Sequence, residues 1–417
     1  MNNGNNFLRV NADLHLHGLY SMAVSKQMTP DIIAQQAPLK GVQLVATADI
    51  LNQKWIDLVK EQLQRVEDQE GILEHSNGTK FVLQTEIEDA NRVHQIIYFP
   101  SFSKVEEVRE IFGKKCKNLD SDGRPKIWLT GTEIAEICSE AECLLGPAHA
   151  FTPYFGIYSK FNSYKDCYGD KWNKIHFMEL GLSADTLMAD QISELHNLTF
   201  LSNSDAHSPW PNKMGREFNT VLMKEISFDE LKLALKREKG RKSVLNVGFN
   251  PLEGKYHKTR CVNCLTFFEP KEAANFKWKC PSCGKSIKKG VDFRISELAG
   301  VGPNIHPDHR PEYKHIVPLS EIAGLALGIK NTWSQKVQEE WLKFVKRFSN
   351  EINVLLRTDY EKLEEINPKI AEYVQYFREG KIKYVPGGGG VYGKLVPPGE
   401  AVEIKEFKEK QTSLGDY

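Results

Sequence analysis

Over about the first 225 residues, short apolar runs alternate with stretches whose apolar positions recur every three or four residues. The runs at 10–16, 42–47, 81–86, 93–99, 143–149, 176–180 and 199–205 predict seven strands, and the periodic stretches between them predict helices. Such alternation is the pattern of an α/β fold. Helix starts are marked by Thr29-Pro30, a cap with proline at the first helical position, and by Thr130-x-x-Glu133 and Ser227-x-x-Glu230. The Ser227 helix runs into Lys236-Arg237-Glu238-Lys239-Gly240-Arg241-Lys242, a basic end that suits the helix dipole and reads as a solvated terminus. Residues 250–292 carry little periodicity, and beyond Gly300 the pattern is mainly helical. There Thr332-x-x-Gln335 is the expected cap of a helix with Trp333, Val337, Trp341, Phe344, Val345 and Phe348 on one apolar stripe, read as a packed face. Three parts are expected: a barrel over 1–245, a small module over 246–295 and a mainly helical C-terminal domain over 296–417.

Composition narrows the class. With 417 residues, 41% of them hydrophobic, the chain can bury a large core in more than one domain. Formal net charge is zero, so any contact with nucleic acid must use local patches. The polar N-terminus has no apolar secretory region, and no apolar run reaches the roughly 18–20 residues of a membrane span. A cytoplasmic protein is expected.

The chemistry falls on the predicted strands. Asp13-x-His15-x-His17 closes the first, Asp49 follows the second, Glu86 ends the third and His94 opens the fourth. His149 ends the fifth, and Ser204-Asp205-Ala206-His207 ends the seventh. A lone histidine in a strand is usually a satisfied structural residue, and His75, His176 and His196 are left out for that reason. Ligand-type side chains recurring mostly at C-terminal strand ends are different, because α/β barrels build their sites there. His15, His17, Asp49, Glu86, His94, His149, Asp205 and His207 are too many for one tetrahedral ion. Two or three divalent ions are expected, and imidazoles with carboxylates suit zinc, manganese or iron. No serine or cysteine nucleophile arrangement, phosphate-binding loop or dinucleotide fingerprint competes.

These motifs resemble the polymerase-and-histidinol-phosphatase (PHP) family of phosphoesterases. The resemblance implies a distorted seven-stranded β/α barrel holding two or three metal ions, zinc, manganese or magnesium. It implies one ion on His15, His17, Glu86 and Asp205, with Glu86 bridging to a second on His94 and His149, and a weaker third on Asp49 and His207. Glu86, His17 and Asp205 are then the catalytic centre. Asp49 departs from the family's usual histidine, and the ligand usually found a few residues after His-x-His is absent from 20–25.

A closer resemblance is to the endonuclease Q family. It rests on Ala12-Asp13-Leu14-His15-Leu16-His17, Glu179-Leu180-Gly181-Leu182-Ser183-Ala184-Asp185, Ser202-Asn203-Ser204-Asp205-Ala206-His207, Gly215-Arg216-Glu217-Phe218-Asn219, His315-Ile316-Val317-Pro318-Leu319 and Val391-Tyr392-Gly393-Lys394. It implies hydrolysis of DNA 5′ to a deaminated base (uracil, hypoxanthine or xanthine) or an abasic site, leaving a 3′-hydroxyl for a repair polymerase and ligase. The run Gly387–Gly390 departs from the family pattern. The rival readings are a PHP-type phosphomonoesterase acting on a small metabolite and a non-catalytic DNA-binding protein.

Four of the eight cysteines are grouped as Cys261-x-x-Cys264 and Cys280-x-x-Cys283, a zinc-ribbon spacing that closes a tetrahedron around one structural zinc. Between Lys255 and Lys289 nine Lys and Arg face two acids, with Phe267, Phe268, Phe276 and Trp278 interleaved. One reading makes this a DNA-gripping surface using Lys255, Lys258, Arg260, Lys277 and Lys279. The other makes the aromatics the ribbon's small core.

Overall fold

The computed structural model describes residues 7–300, 305–401 and 406. In chain order the strands of the first part are β1 (Leu8–Asp13), β2 (Leu44–Ala46), β3 (Gln64–Val66), β4 (Gln69–Glu74), β5 (Lys80–Val82), β6 (Gln84–Glu88) and β7 (His94–Tyr98). They continue as β8 (Leu144–Pro147), β9 (Phe177–Glu179), β10 (Thr199–Leu201), β11 (Phe218–Met223), β12 (Lys242–Gly248), β13 (Arg260–Cys261), β14 (Ile287–Lys288) and β15 (Glu312–His315). An eight-stranded mixed sheet has the order β15-β12-β11-β1-β2-β5-β4-β3. Beside it lie a three-stranded sheet, β6-β7-β8, and a pair, β9-β10. At its centre β1 runs parallel to β2 and antiparallel to β11.

The α/β class is as expected, but no ladder closes a seven-stranded barrel among the described residues. The predicted strand 81–86 is interrupted at Leu83, whose amide still continues the β4–β5 register to the Gly71 carbonyl at 3.3 Å while its carbonyl accepts from the Phe99 amide at 3.0 Å. Its first half stays with β2, and its second half leaves to pair antiparallel with β7. Isolated hydrogen bonds, not ladders, then join the sheets: Ile50 to Gln84 at 3.1 Å, Ala150 to Glu179 at 2.8 Å and His17 to Ala206 at 3.1 Å. The C-terminal strand ends therefore still face one another, which is what the site needs.

The local helix signals act as their chemistry requires. Thr29 caps the helix Pro30–Lys40. Thr130 and Glu133 form a complete capping box on the helix Gly131–Glu140. Ser227 caps the helix Phe228–Lys236, but Glu230 does not complete the box. Its carboxylate takes the Lys224 amide at 2.6 Å and pairs with Arg241, also at 2.6 Å. Arg237 donates to the Thr199 hydroxyl and the Asn197 carbonyl, each at 2.7 Å. Two cations of the run expected to be solvated are thus structural: Arg237 meets the 197–199 segment, and Arg241 meets Glu230 of the preceding helix. The cap of the helix Gln335–Phe348 is Ser334, not Thr332. Trp333 therefore lies outside the helix and is 49% exposed, while Val337, Trp341, Phe344 and Val345 are buried.

The expected boundary at 245 falls inside β12, and β15 from the third part pairs with that same strand. The boundary at 295 falls inside the helix Val291–Ala299. Backbone pairing ignores the composition change on which those boundaries were drawn. One buried cluster runs from Leu16 through Val317 to Ile382, so the C-terminal helices share the core of the first part. No described helix is long and apolar enough to cross a membrane.

Candidate metal centre

The short strands stop before their ligands: His15, His17, Asp49, His149 and Asp205 sit just beyond strand ends, whereas Glu86 and His94 lie within β6 and β7. Asp49, His149 and Asp205 have φ of +21°, +29° and +47°. Side chains other than glycine seldom adopt that region, and holding one there costs about 1–3 kcal/mol. The surrounding packing enforces these turns, and each aims a polar group inward.

The fully buried Glu86 is the hub. Its Oε1 lies 2.9 Å from His149 Nε2 and 3.0 Å from His94 Nδ1; its Oε2 lies 3.3 Å from His17 Nε2. Asp205 Oδ1 is 3.1 Å from His17 Nε2 and 3.9 Å from His15 Nε2. Three overlapping groups emerge, His15–His17–Glu86, His17–Asp205–His207 and Glu86–His94–His149, each with ligand atoms within 4.8 Å of one another. Seven of the eight expected ligands are therefore brought together. Asp49 lies outside these groups: it accepts from the Gly18 amide (2.7 Å) and the Ser21 hydroxyl (2.8 Å) and faces His17 Nδ1 at 3.3 Å. It orients an imidazole.

The donor set fits metal ions. Buried His15 Nε2 and His17 Nε2 make no hydrogen bond of good geometry and lie 3.9 and 3.1 Å from Asp205 Oδ1. A buried polar atom left unmatched costs free energy, and a cation coordinated by several such atoms offsets that cost. The electrostatics agree. Burial opposes charge on His15, yet Glu179, Asp205 and Glu86 push it up to about 9. Burial likewise opposes ionisation of Glu86, and His94, His149 and His17 hold it well below the usual carboxylate range. The pocket's excess negative charge favours either protons on imidazoles or divalent cations between them.

Two residues essential to this geometry escaped the sequence reading as site residues. Glu179, at the end of β9, receives His15 Nδ1 at 3.0 Å, the His149 amide at 3.1 Å and Asn203 Nδ2 at 2.8 Å. The strand-end rule that found Glu86 applies equally to Glu179. Arg124, whose Nη1 is 3.2 Å from Glu86 Oε2, comes from an irregular segment with no such signal.

The four grouped cysteines meet as their spacing requires. Cys261 and Cys283 Sγ are 3.5 Å apart, as are Cys264 and Cys280 Sγ. A disulfide would be about 2.05 Å, whereas four sulfurs each about 2.3 Å from one zinc lie just under 4 Å apart.

Comparison with known proteins decides the family. The family model of the MJ0043 C-terminal domain matches residues 318–381. Uncharacterised protein MJ0043 of Methanocaldococcus jannaschii is 46% identical over 252 residues, 59% of this chain and 31% of that protein, so the chain matches under a third of that relative's length. YqxK of Bacillus subtilis, also uncharacterised, is 31% identical over 93% of this chain and 100% of its own. Among solved structures, the lesion-specific endonuclease PfuEndoQ from Pyrococcus furiosus is 45% identical at a TM-score of 0.89, covering 93% of this chain and 95% of its own. The chain belongs to the endonuclease Q family. An endonuclease Q solved with a 27-mer duplex bearing an abasic lesion at its active site is 44% identical at a TM-score of 0.88, covering 94% of this chain and 97% of its own.

In this endonuclease Q the aromatics of the cysteine module are largely internal. Phe268 is buried among the cysteines, with Phe276 and Trp278 packed against them. Arg260 lies 4.3 Å over Phe267 and donates to the Leu265 carbonyl. Lys258 pairs with Asp292 at 2.8 Å, and Lys255 lies over Tyr256 and Tyr392. Of the five cations expected to touch DNA, Lys258, Lys277 and Lys279 are exposed, Lys258 being the one paired with an acid. The glycine run packs backbone to backbone on this module: a Cβ at Gly387 would meet the Gly254 carbonyl at 2.3 Å, and one at Gly388 the Lys258 carbonyl at 2.4 Å. No side chain fits at those two positions, whereas Gly389 and Gly390 adopt φ of +62° and +93°, the left-handed region that favours glycine.

Proposed function

We propose that this protein is a repair endonuclease that hydrolyses the phosphodiester 5′ to a deaminated base or an abasic site and leaves a 3′-hydroxyl. The observation that carries the proposal is the convergence of His15, His17, Glu86, His94, His149, Asp205 and His207 in three overlapping groups able to hold metal ions, in a chain 45% identical to a lesion-specific endonuclease. Two or three divalent ions, zinc, manganese or magnesium, would be held there: one by His15, His17, Glu86 and Asp205, one by Glu86, His94 and His149, and a weaker one involving His207, with Asp49 beside it. When bound they would supply charge neutralisation at the phosphodiester and a lowered pKa for water.

The chain's own groups do the rest. Glu179 and Asp49 fix the Nδ1 sides of His15 and His17, so that their Nε2 atoms face inward. Asp205, whose side chain is 32% exposed, stands at the mouth where substrate enters. Extruding a nucleotide toward it is cheapest when the base is mispaired or missing, which is a source of lesion selectivity. The cysteine module holds one structural zinc and offers Lys277 and Lys279 to the duplex.

The test uses purified protein with Mg²⁺ or Mn²⁺ and end-labelled duplexes bearing one deoxyuridine, deoxyinosine, deoxyxanthosine or abasic site, beside an undamaged control. One nick immediately 5′ of the lesion, extendable by a polymerase and sealable by a ligase, is the expected result. Uncut duplexes alongside hydrolysis of a simple phosphomonoester would replace this reading with a small-molecule phosphatase.

A further inference from the structure

We propose that Arg124 is the residue that grips the scissile phosphate and stabilises its charge as the bond breaks; this rests on the function proposed above. Arg124 Nη1 is 3.2 Å from Glu86 Oε2, the oxygen that also faces His17 Nε2 at 3.3 Å. The guanidinium therefore sits on the His17 side of the hub, and at 30% exposure it is reachable from solvent while its neighbour Glu86 is not.

The segment that carries it is built to aim it. The preceding residue, Gly123, lies so close to the site that a Cβ there would be 2.1 Å from Asp49 Oδ2 and 2.2 Å from Ser21 Oγ. No side chain fits, so the backbone rests directly on the carboxylate that orients His17. On the other flank the Glu88 amide donates to the Pro125 carbonyl at 3.0 Å, and the Ile127 amide to the Glu88 carbonyl at 2.8 Å. These bonds tie the segment to β6, the strand that carries Glu86. An irregular segment is thus fixed on both sides of Arg124.

A purely structural counter-ion for Glu86 is a poor explanation. That carboxylate already has His17, His94 and His149 within 3.3 Å. With cations held in the same pocket, a further permanent positive charge is repelled unless an anion completes the site. A phosphodiester is such an anion. Arginine presents five N–H donors in a planar fork, stays charged at any working pH and matches two phosphate oxygens at once. In phosphoryl displacement the equatorial oxygens must be held from a fixed direction while the attacking and leaving oxygens stay in line.

The test compares metal-loaded wild type, Arg124→Ala, Arg124→Lys and Asp205→Asn on a duplex with one abasic site. Arg124→Ala should lower kcat about 10²–10³-fold, with metal content unchanged by elemental analysis. Added guanidinium should restore part of its rate, Arg124→Lys should recover only a fraction, and inorganic phosphate should inhibit the Ala variant less than wild type. Cleavage by Arg124→Ala at the wild-type rate, or a loss of bound metal in step with the loss of rate, overturns the proposal. Asp205→Asn separates the two readings: inert Asp205→Asn beside active Arg124→Ala removes only Arg124's role, whereas full activity in both removes the metal-site reading itself.

Discussion

Glu179 Oε2 lies 3.0 Å from His15 Nδ1, and both side chains are fully buried. The same carboxylate holds the His149 amide and Asn203, so one residue sets two site histidines. Partners of this kind fix an imidazole's tautomer and are worth about 10–100-fold in metal affinity. Glu179→Ala should weaken metal binding by that factor in a competition titration with a chromophoric chelator. Unchanged affinity would mean that Glu179 serves only the fold.

Asp205→Asn should abolish cleavage and leave duplex binding intact, because Asp205 Oδ1 lies 3.1 Å from His17 Nε2 at the site while the exposed Lys277 and Lys279 are elsewhere. Gel-based nicking and fluorescence anisotropy on one abasic duplex separate the two effects. Retained nicking would remove Asp205 from the reaction.

Lys40 Nζ pairs with Glu351 Oε1 at 2.7 Å, both side chains essentially buried, and Glu351 also accepts from the Leu319 amide and the Trp341 indole. This joins the helix Pro30–Lys40 to the C-terminal helices. Lys40→Met leaves a buried carboxylate without its cation and should cost about 3–5 kcal/mol in urea unfolding.

Burial pushes the Glu217 carboxyl up to about 8, although the Phe249 amide donates to it at 2.8 Å. Its folded pKa exceeds the ordinary carboxyl value, so it is neutral in the fold. Its contribution to stability is then complete below about pH 4.5 and is lost as pH rises through about 8, at up to about 1.4 kcal/mol per pH unit. Melting temperatures from pH 5 to 9 should fall more steeply for the wild type than for Glu217→Gln. Parallel curves would place the proton elsewhere.

Withholding the zinc proposed for the cysteine module should cost that module its fold, since its core is five buried residues, two of them cysteines. Cys280→Ser should lower zinc content by one ion per chain and expose 259–288 to protease, while the centre around Glu86 keeps its metal.

The sequence by itself determined the features whose physics is local. His15 and His17 two apart, Cys261-x-x-Cys264 and the Thr130–Glu133 box each fix a geometry within a few residues, and the structure forms all three arrangements. The α/β alternation was equally legible, because burial of a strand or a helix face leaves a period in the chain. Tertiary structure alone decided what depends on distant partners. The predicted strand 81–86 splits at Leu83, its first half pairing with β2 and β4 and its second half with β7, so no single ladder runs through it. Asp49 faces His17 Nδ1 and not the shared space, Glu179 joins the site from a strand 164 residues beyond His15, and Arg124 arrives on a segment without periodicity. A side chain's type limits what it can bind, but which atom it meets is set by packing between segments, and no spacing within one segment encodes that.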